Sequence, residues 1–442
     1  MTGTATSRLV RGGGMLGAAT LVINAGNYLL NVLLGRWLTP AEFSDANLMV
    51  TLMFTIASVA LCLQLAASRS VHAGLRGDTG LPGDTGLRGD AGRAARFGQR
   101  LHTWAWQAGV LIGAGLAVPA PLWREVFNTG SAAPFVILGI GIPAFLVQSV
   151  GRGVMQGNAR FGPLAATYLV EMLVRVGVAV LLVHAGAGVV GATAGLTVSF
   201  VAGWLTVRLL AGEHAGLLAG KHAGLLADPA DPAEMAGLRA YLGSVSVLLV
   251  GQVVVSNADI LVAKMFLAPH EAGRYAAVAL VGRAVFVLSW SVAIVVFPAA
   301  AQRHAMGTAA GRLLGGALGA IAGIGAVCVA GAWLVGDPVL RVVLGPEYAG
   351  LSAPLTAYAV VTTLFALAHM VASYSLASGR VVESWLVLTA AVVQTVLLLL
   401  MHGSIGQLIA AQLVAMVALM VGLAGSRLVL ARATERVLVG PA

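Results

Sequence analysis

Glu171 and Arg175 stand four residues apart in an otherwise apolar stretch, with the acid on the N-terminal side, so a helix would bring their side chains together on one face. The pair reads either as a structural ion pair or as a guanidinium whose planar fork of donors suits a phosphate or pyrophosphate, with Glu171 holding it until substrate arrives. Arg283 lies about midway through another apolar stretch and has no carboxylate three or four residues away. An arginine there needs a cavity, an anion or a partner from another helix. Asp259, with Asn257 two residues before it, offers an oxygen site for a coupling cation or proton, or a counter-charge for Arg283 or Lys264. Asn24, Asn27 and Asn31 fall at i, i+3 and i+7 and so line one helix face, as interhelical hydrogen-bond glue or as the wall of a cavity that contacts sugars. Gln64, Gln148, Gln252, His369, Gln394 and Gln412 are weaker single signals of the same kind.

No pattern of catalytic residues accompanies them. The chain carries no P-loop, no zinc-protease HExxH, no CxxC pair and no Gly-x-Ser-x-Gly elbow, so it reads as a non-enzyme without a cofactor and not as a self-contained primary pump. Cys62 and Cys328 both sit in apolar stretches, which indicates neither a disulfide framework nor a cysteine metal site. His214 and His222 recur in a repeated His-Ala-Gly-Leu-Leu-Ala, with no further ligands at useful spacing for a metal.

These residues are embedded in a chain that is 59% hydrophobic and only 10% charged. Soluble domains carry roughly 25% charged residues, and lipid satisfies no backbone polar group, so the apolar stretches should be membrane-spanning helices. Twelve candidate spans begin near residues 13, 43, 99, 134, 163, 187, 240, 273, 312, 354, 384 and 405. The first of them, from about Gly13 to Trp37, is too long for a signal peptide's apolar core and is read as a retained span. The net charge of +9 comes from residues scattered through short loops, a topology signal rather than a nucleic-acid-binding surface. With the N-terminus inside, most Lys and Arg, Arg152 and Arg160 among them, fall on inner segments, while Arg36, Arg124, Lys264, Arg274 and Arg341 fall on outer ends. Both termini are then expected in the cytoplasm.

Leu38-Thr39-Pro40-Ala41-Glu42 reappears as Leu267-Ala268-Pro269-His270-Glu271, a little over half the chain later, each time between two apolar stretches. The repeat predicts two related halves, and internal repeats around a central site are a common plan for secondary transporters. The expected organisation is a six-helix bundle over 1–210, an inter-half cytoplasmic linker over 211–238, a second six-helix bundle over 239–430 and a cytoplasmic tail over 431–442. Six spans per half would relate the bundles by a pseudo-twofold axis along the membrane normal. An inner loop over 70–98 places glycine at every third position from Gly74 to Gly92, which imitates collagen but is too short for a triple helix and reads as a duplicated flexible loop.

The stretch from Asn257 to Ala276, the segment from Arg152 to Phe161 and Leu344-Gly345-Pro346-Glu347-Tyr348 together resemble polysaccharide and oligosaccharide (Wzx-like) flippases of the multidrug/oligosaccharidyl-lipid/polysaccharide (MOP) superfamily. The resemblance implies a MATE/MOP-like all-α polytopic membrane protein whose central cavity opens alternately to each side and moves a polyprenyl-pyrophosphate-linked oligosaccharide from the inner to the outer leaflet. It implies a cationic cavity, with Arg175 and Arg283 as pyrophosphate contacts. The expected setting is the inner (plasma) membrane, with the lipid-linked glycan and the bilayer as partners, glycosyltransferases or a polysaccharide polymerase as candidate protein partners, and no nucleic acid. Lipid II flippases of the superfamily usually have two further spans, which favours glycan export here. Two alternatives stand beside it: a cation-coupled multidrug or small-molecule antiporter using Asp259 and Glu171, and a non-transporting scaffold for glycan-assembly enzymes.

Overall fold

The computed structural model describes residues 2–76, 87–211, 232–289, 292 and 311–439, and among these the chain is helical with no strand. The long helices are α1 (Thr2–Trp37), α2 (Pro40–Arg76), α3 (Leu87–Ala117), α4 (Ala133–Gly157), α5 (Phe161–Leu182), α6 (Gly188–Leu210), α7 (Pro232–Phe266), α8 (Pro269–Gly282), α9 (Gly311–Val343), α10 (Ser352–Ala377), α11 (Val382–Leu400) and α12 (Ile405–Val439). Nine helical runs among the described residues are long and apolar enough to cross a bilayer, and the bent pair Gly98–Ala117 and Ala120–Val126 makes a tenth. One of the nine, Phe161–Leu210, contains both α5 and α6, so these runs take in α2 to α12. The protein is a polytopic α-helical membrane protein.

Both copies of the repeated motif are helix starts. In the first, the Thr39 backbone N–H donates to Glu42 Oε2 at 3.0 Å and the Glu42 N–H donates back to Thr39 Oγ at 3.3 Å, a reciprocal cap on α2. In the second, Ala268 supplies no side-chain cap, Pro269 takes the first helical position and Glu271 turns to Arg274 at 3.2 Å. Proline serves in both because its φ is preset for a helix and it lacks an N–H that would go unpaired there. The late motif Leu344–Tyr348 is a tight turn: Gly345 has φ +122°, a conformation that side chains disfavour, and a short 3-10 turn over Pro346–Tyr348 follows.

The chain forms two compact units, which divide between Arg239 and Ala240, with Thr39–Ser44 belonging to the second. In the first unit α5 packs on α6 and α1, and α4 packs on α3 and α6. Phe145 of α4 and Phe200 of α6 bring their ring centroids to 4.5 Å. In the second unit α10 packs on α9, α12 and α8, and α11 on α12. There Gly273 of α8 lies so close to Pro40 that a Cβ would stand 1.9 Å from the Pro40 carbonyl oxygen.

Several loop boundaries differ from the sequence expectation. Helix α2 continues to Arg76 and α3 begins at Leu87, so most of the expected 70–98 loop is helix, and 77–86 lie outside the described residues. Helix α7 already begins at Pro232, inside the expected linker, whose residues 212–231, with His214 and His222, also lie outside them. Helix α12 runs through the expected tail to Val439. Within the expected eighth span, α8 breaks at Arg283 and helix resumes over 284–289.

Candidate functional site

Two buried carboxylates, Glu171 in the first unit and Asp259 in the second, each gather several polar side chains. In the first unit Glu171 of α5 is gripped from both sides. Its Oε1 accepts from Arg175 Nη2, and its Oε2 accepts from Arg152 Nη2 at 2.7 Å and from Gln148 Nε2 at 3.0 Å. Arg175 also donates from Nη1 to Asn27 Oδ1 at 3.0 Å and from Nε to Ser199 Oγ at 3.4 Å. Arg152 is anchored by Thr167, through the hydroxyl and the carbonyl at 3.0 Å each, and its guanidinium lies 4.0 Å over the Tyr168 ring. Tyr168 in turn donates to Gln64 Oε1 at 2.9 Å, and Gln64 donates to Gln156. Gly203 of α6 leaves the room this needs, because a Cβ there would stand 2.1 Å from Gln148 Oε1.

The side chains of Arg152, Glu171 and Arg175 are less than a tenth exposed. Two guanidinium groups therefore share one carboxylate in a low-dielectric interior, which leaves one positive charge in excess within the cluster. Charge is costly in such a place unless paired and hydrogen-bonded, and here every member is tied to side chains from α1, α2, α4, α5 or α6.

In the second unit Asp259 of α7 is wholly buried and also takes three donors. Arg283 Nη2 reaches Oδ1 at 2.9 Å, while the Tyr275 and Tyr358 hydroxyls reach Oδ2 at 2.8 and 2.9 Å. Arg283 Nε donates to the Tyr358 oxygen at 3.1 Å, and Gln412 Nε2 donates to the Tyr275 oxygen at 2.8 Å. The two tyrosine rings meet edge to face. Gly282 makes the place for Tyr358, since a Cβ there would lie 2.4 Å from the ring. Arg283 keeps 27% of its side chain exposed and is the most accessible charge of the cluster. The break in α8 at this residue sets the guanidinium toward α7 and α10.

The structure thus gathers Glu171, Arg175 and Asn27 into one cluster and Asp259 and Arg283 into another. Arg283 has a partner from another helix, one of the three environments its span position left open. Asn31 Nδ2 donates to the Asn27 carbonyl, and Asn24 is exposed, so the asparagine stripe reaches the first cluster only through Asn27. Asn257 bonds back to the Val253 carbonyl within α7 and does not join Asp259. Two basic residues assigned to loops or outer ends are instead buried. Arg152 lies inside α4 at 3% exposure, and Lys264 at 2% donates to Ser44 Oγ at 2.8 Å. Glycines, Asn158 and Arg160 crowd the segment around Arg152, yet the α4 helix runs on to Gly157 and only then turns. Sequence reading also missed Tyr275, Tyr358, Thr167 and Ser199. Gln148 and Gln412, weak signals singly, prove to be members of the two clusters. His369 is buried between Phe286 and Phe365, and Gln394 donates to the Val255 carbonyl; neither joins a carboxylate cluster.

Among solved structures the chain is similar to an inward-facing multidrug resistance MATE family transporter of the MOP superfamily, at TM-score 0.70 and 15% identity over 92% of this chain and 95% of that one. It is similar to the lipid II flippase MurJ in an inward closed conformation, at TM-score 0.68 and 11% identity over 92% and 87%. A third likeness, at TM-score 0.61 and 16% identity over 96% and 94%, is to a MOP superfamily transporter from Pyrococcus furiosus for which a reversed polarity of the binding pocket suggests a different function. No protein-family model matches the chain, and no curated protein matches it. At these identities the likeness is one of fold: the chain has the all-helical fold of MOP superfamily transporters.

Proposed function

We propose that this protein flips a polyprenyl-pyrophosphate-linked oligosaccharide from the inner to the outer leaflet by alternating access, in the synthesis of a surface polysaccharide. The observation that carries the reading is the surplus buried positive charge of Arg152, Arg175 and Glu171. A pyrophosphate head group cannot cross hydrocarbon unaided, and a guanidinium held by an internal carboxylate can exchange that partner for a phosphate without ever standing unpaired. The contact of Arg175 with Asn27 of α1, whose neighbour one turn on is Asn31, supports this reading. These amides supply hydrogen-bonding groups suited to sugar hydroxyls beside the anion. The lipid II flippase among the structural neighbours supports a lipid-linked cargo for this fold.

Deletion of the protein from its cell should reduce surface glycan and build up lipid-linked intermediates on the inner leaflet, and Arg175→Ala should reproduce both effects. Normal glycan together with new sensitivity to small toxic cations would overturn the reading. A cation-coupled antiporter is the second reading, and Asp259 favours it as a buried carboxylate ringed by hydroxyls. In that case Asp259→Asn abolishes transport-linked ion flux in proteoliposomes, while Arg175→Ala leaves glycan export intact.

A further inference from the structure

A third carboxylate cluster stands apart from both sites. Glu383, at the start of α11, is wholly buried; its Oε1 pairs with Arg380 and lies 4.0 Å from Arg427 Nε. Arg427 of α12 also donates from Nη2 to Ser375 Oγ at 2.8 Å, and the Arg380 backbone N–H donates to the Ser375 carbonyl at 2.9 Å. Ser375 therefore ties both arginines to the end of α10. Three apolar runs stop at this place: that of α10 ends at Leu376, that of α11 begins at Val382 and that of α12 ends at Arg427. In a bilayer it is the depth at which hydrocarbon gives way to headgroups.

The two arginines differ from those around Glu171 in being reachable, at 30% and 32% side-chain exposure. They again outnumber their carboxylate, so one positive charge is unmatched within the cluster. Glu383 Oε2 and the Ser384 hydroxyl are buried without a hydrogen-bond partner among the described residues. Such groups are uncommon in a settled interior, and what the carboxylate oxygen lacks is a donor. A guanidinium pair held at headgroup depth suits a phosphodiester, and a donor on the same headgroup would serve the unpartnered carboxylate oxygen.

We propose that Arg380, Arg427 and Glu383 form a binding site for a phospholipid headgroup that carries its own hydrogen-bond donor, as phosphatidylethanolamine does and phosphatidylcholine does not. The phosphate oxygens accept from the two guanidinium groups and balance the surplus charge, and the ammonium donates toward Glu383. The site is independent of the cargo reading and stands or falls separately from it.

Native mass spectrometry of the full-length protein in detergent tests this, with titrations of dioleoylphosphatidylethanolamine, dioleoylphosphatidylcholine and inorganic phosphate. The unmodified protein is expected to hold the ethanolamine lipid about tenfold more tightly than the choline lipid, the size of one charge-assisted hydrogen bond. Arg427→Gln and Arg380→Gln should lower retention of both lipids alike, whereas Glu383→Gln, which removes the acceptor for the ammonium, should bring the preference toward unity. Equal retention of the two lipids by the unmodified protein overturns the proposal without recourse to any variant. Displacement of the lipid by inorganic phosphate at matched concentration identifies a soluble-anion site and overturns the headgroup assignment.

Discussion

Glu171→Gln should be far more damaging than the loss of either arginine it holds. The substitution keeps the shape of the side chain but removes the charge that two buried guanidinium groups share, and replaces an acceptor oxygen with an amide donor facing them. Leaving a buried charge without its partner costs about 3–5 kcal/mol. Arg152→Met acts in the opposite sense on the charge count, since Glu171 keeps Arg175 and Gln148, and one cation then faces one carboxylate. Its cost is the three lost hydrogen bonds to Thr167 and Glu171, about 1 kcal/mol or more each, offset in part by relief of the surplus positive charge. The double variant should accordingly be more stable than Glu171→Gln alone by about 1–3 kcal/mol, a coupling typical of groups within one network. Thermal unfolding of the purified protein in detergent reads this out. At about 2–4 °C per kcal/mol for a unit of this size, Glu171→Gln should lower the midpoint by on the order of 10 °C, and adding Arg152→Met should recover part of the loss. Equal midpoints for Glu171→Gln and Arg152→Met, or additive losses in the double variant, would refute the idea of a carboxylate shared by two cations.

Three further outcomes follow from the same geometry. Gly273→Ala should destabilise the second unit by about 1–3 kcal/mol or more, because the new methyl would be driven into the Pro40 carbonyl; limited proteolysis and unfolding midpoints read the effect. Asp259→Asn leaves Arg283 without its counter-charge, and since that guanidinium is partly exposed the expected loss is near the lower end of the buried-pair range, about 3 kcal/mol, measured by thermal unfolding. Asp337→Ala removes the carboxylate that accepts from the Leu351 and Ser352 N–H groups at the start of α10, at 3.0 and 3.1 Å, and should cost about 1 kcal/mol while raising hydrogen exchange at those two amides.

The helices were legible in the sequence because lipid imposes a simple requirement: apolar runs of spanning length can satisfy their backbone only as helices. The repeated Leu-x-Pro-x-Glu was legible for a local reason, since a proline at the first position and an acid in the first turn mark a helix start wherever it occurs. Glu171 and Arg175 could be paired from spacing alone, because one helical turn brings them together. The partners that decide their chemistry could not. Arg152 lies 19 residues from Glu171, Asn27 lies 148 residues from Arg175, and Tyr358 lies 99 residues from Asp259. Tyrosine, serine and threonine in an apolar run carry no charge signal, and a glycine-rich helix end such as that around Arg152 is indistinguishable from a loop until its packing is seen.

What this amino-acid sequence determined by itself was therefore what depends on neighbours along the chain: helical spans, their starting signals and the presence of expensive charges within them. What only the tertiary structure decided was which of those charges are matched, because a counter-ion in a membrane interior comes from whichever helix packs alongside. Packing in turn is set by small residues such as Gly203 and Gly282, whose missing side chains open the space in which Gln148 and Tyr358 reach their carboxylates.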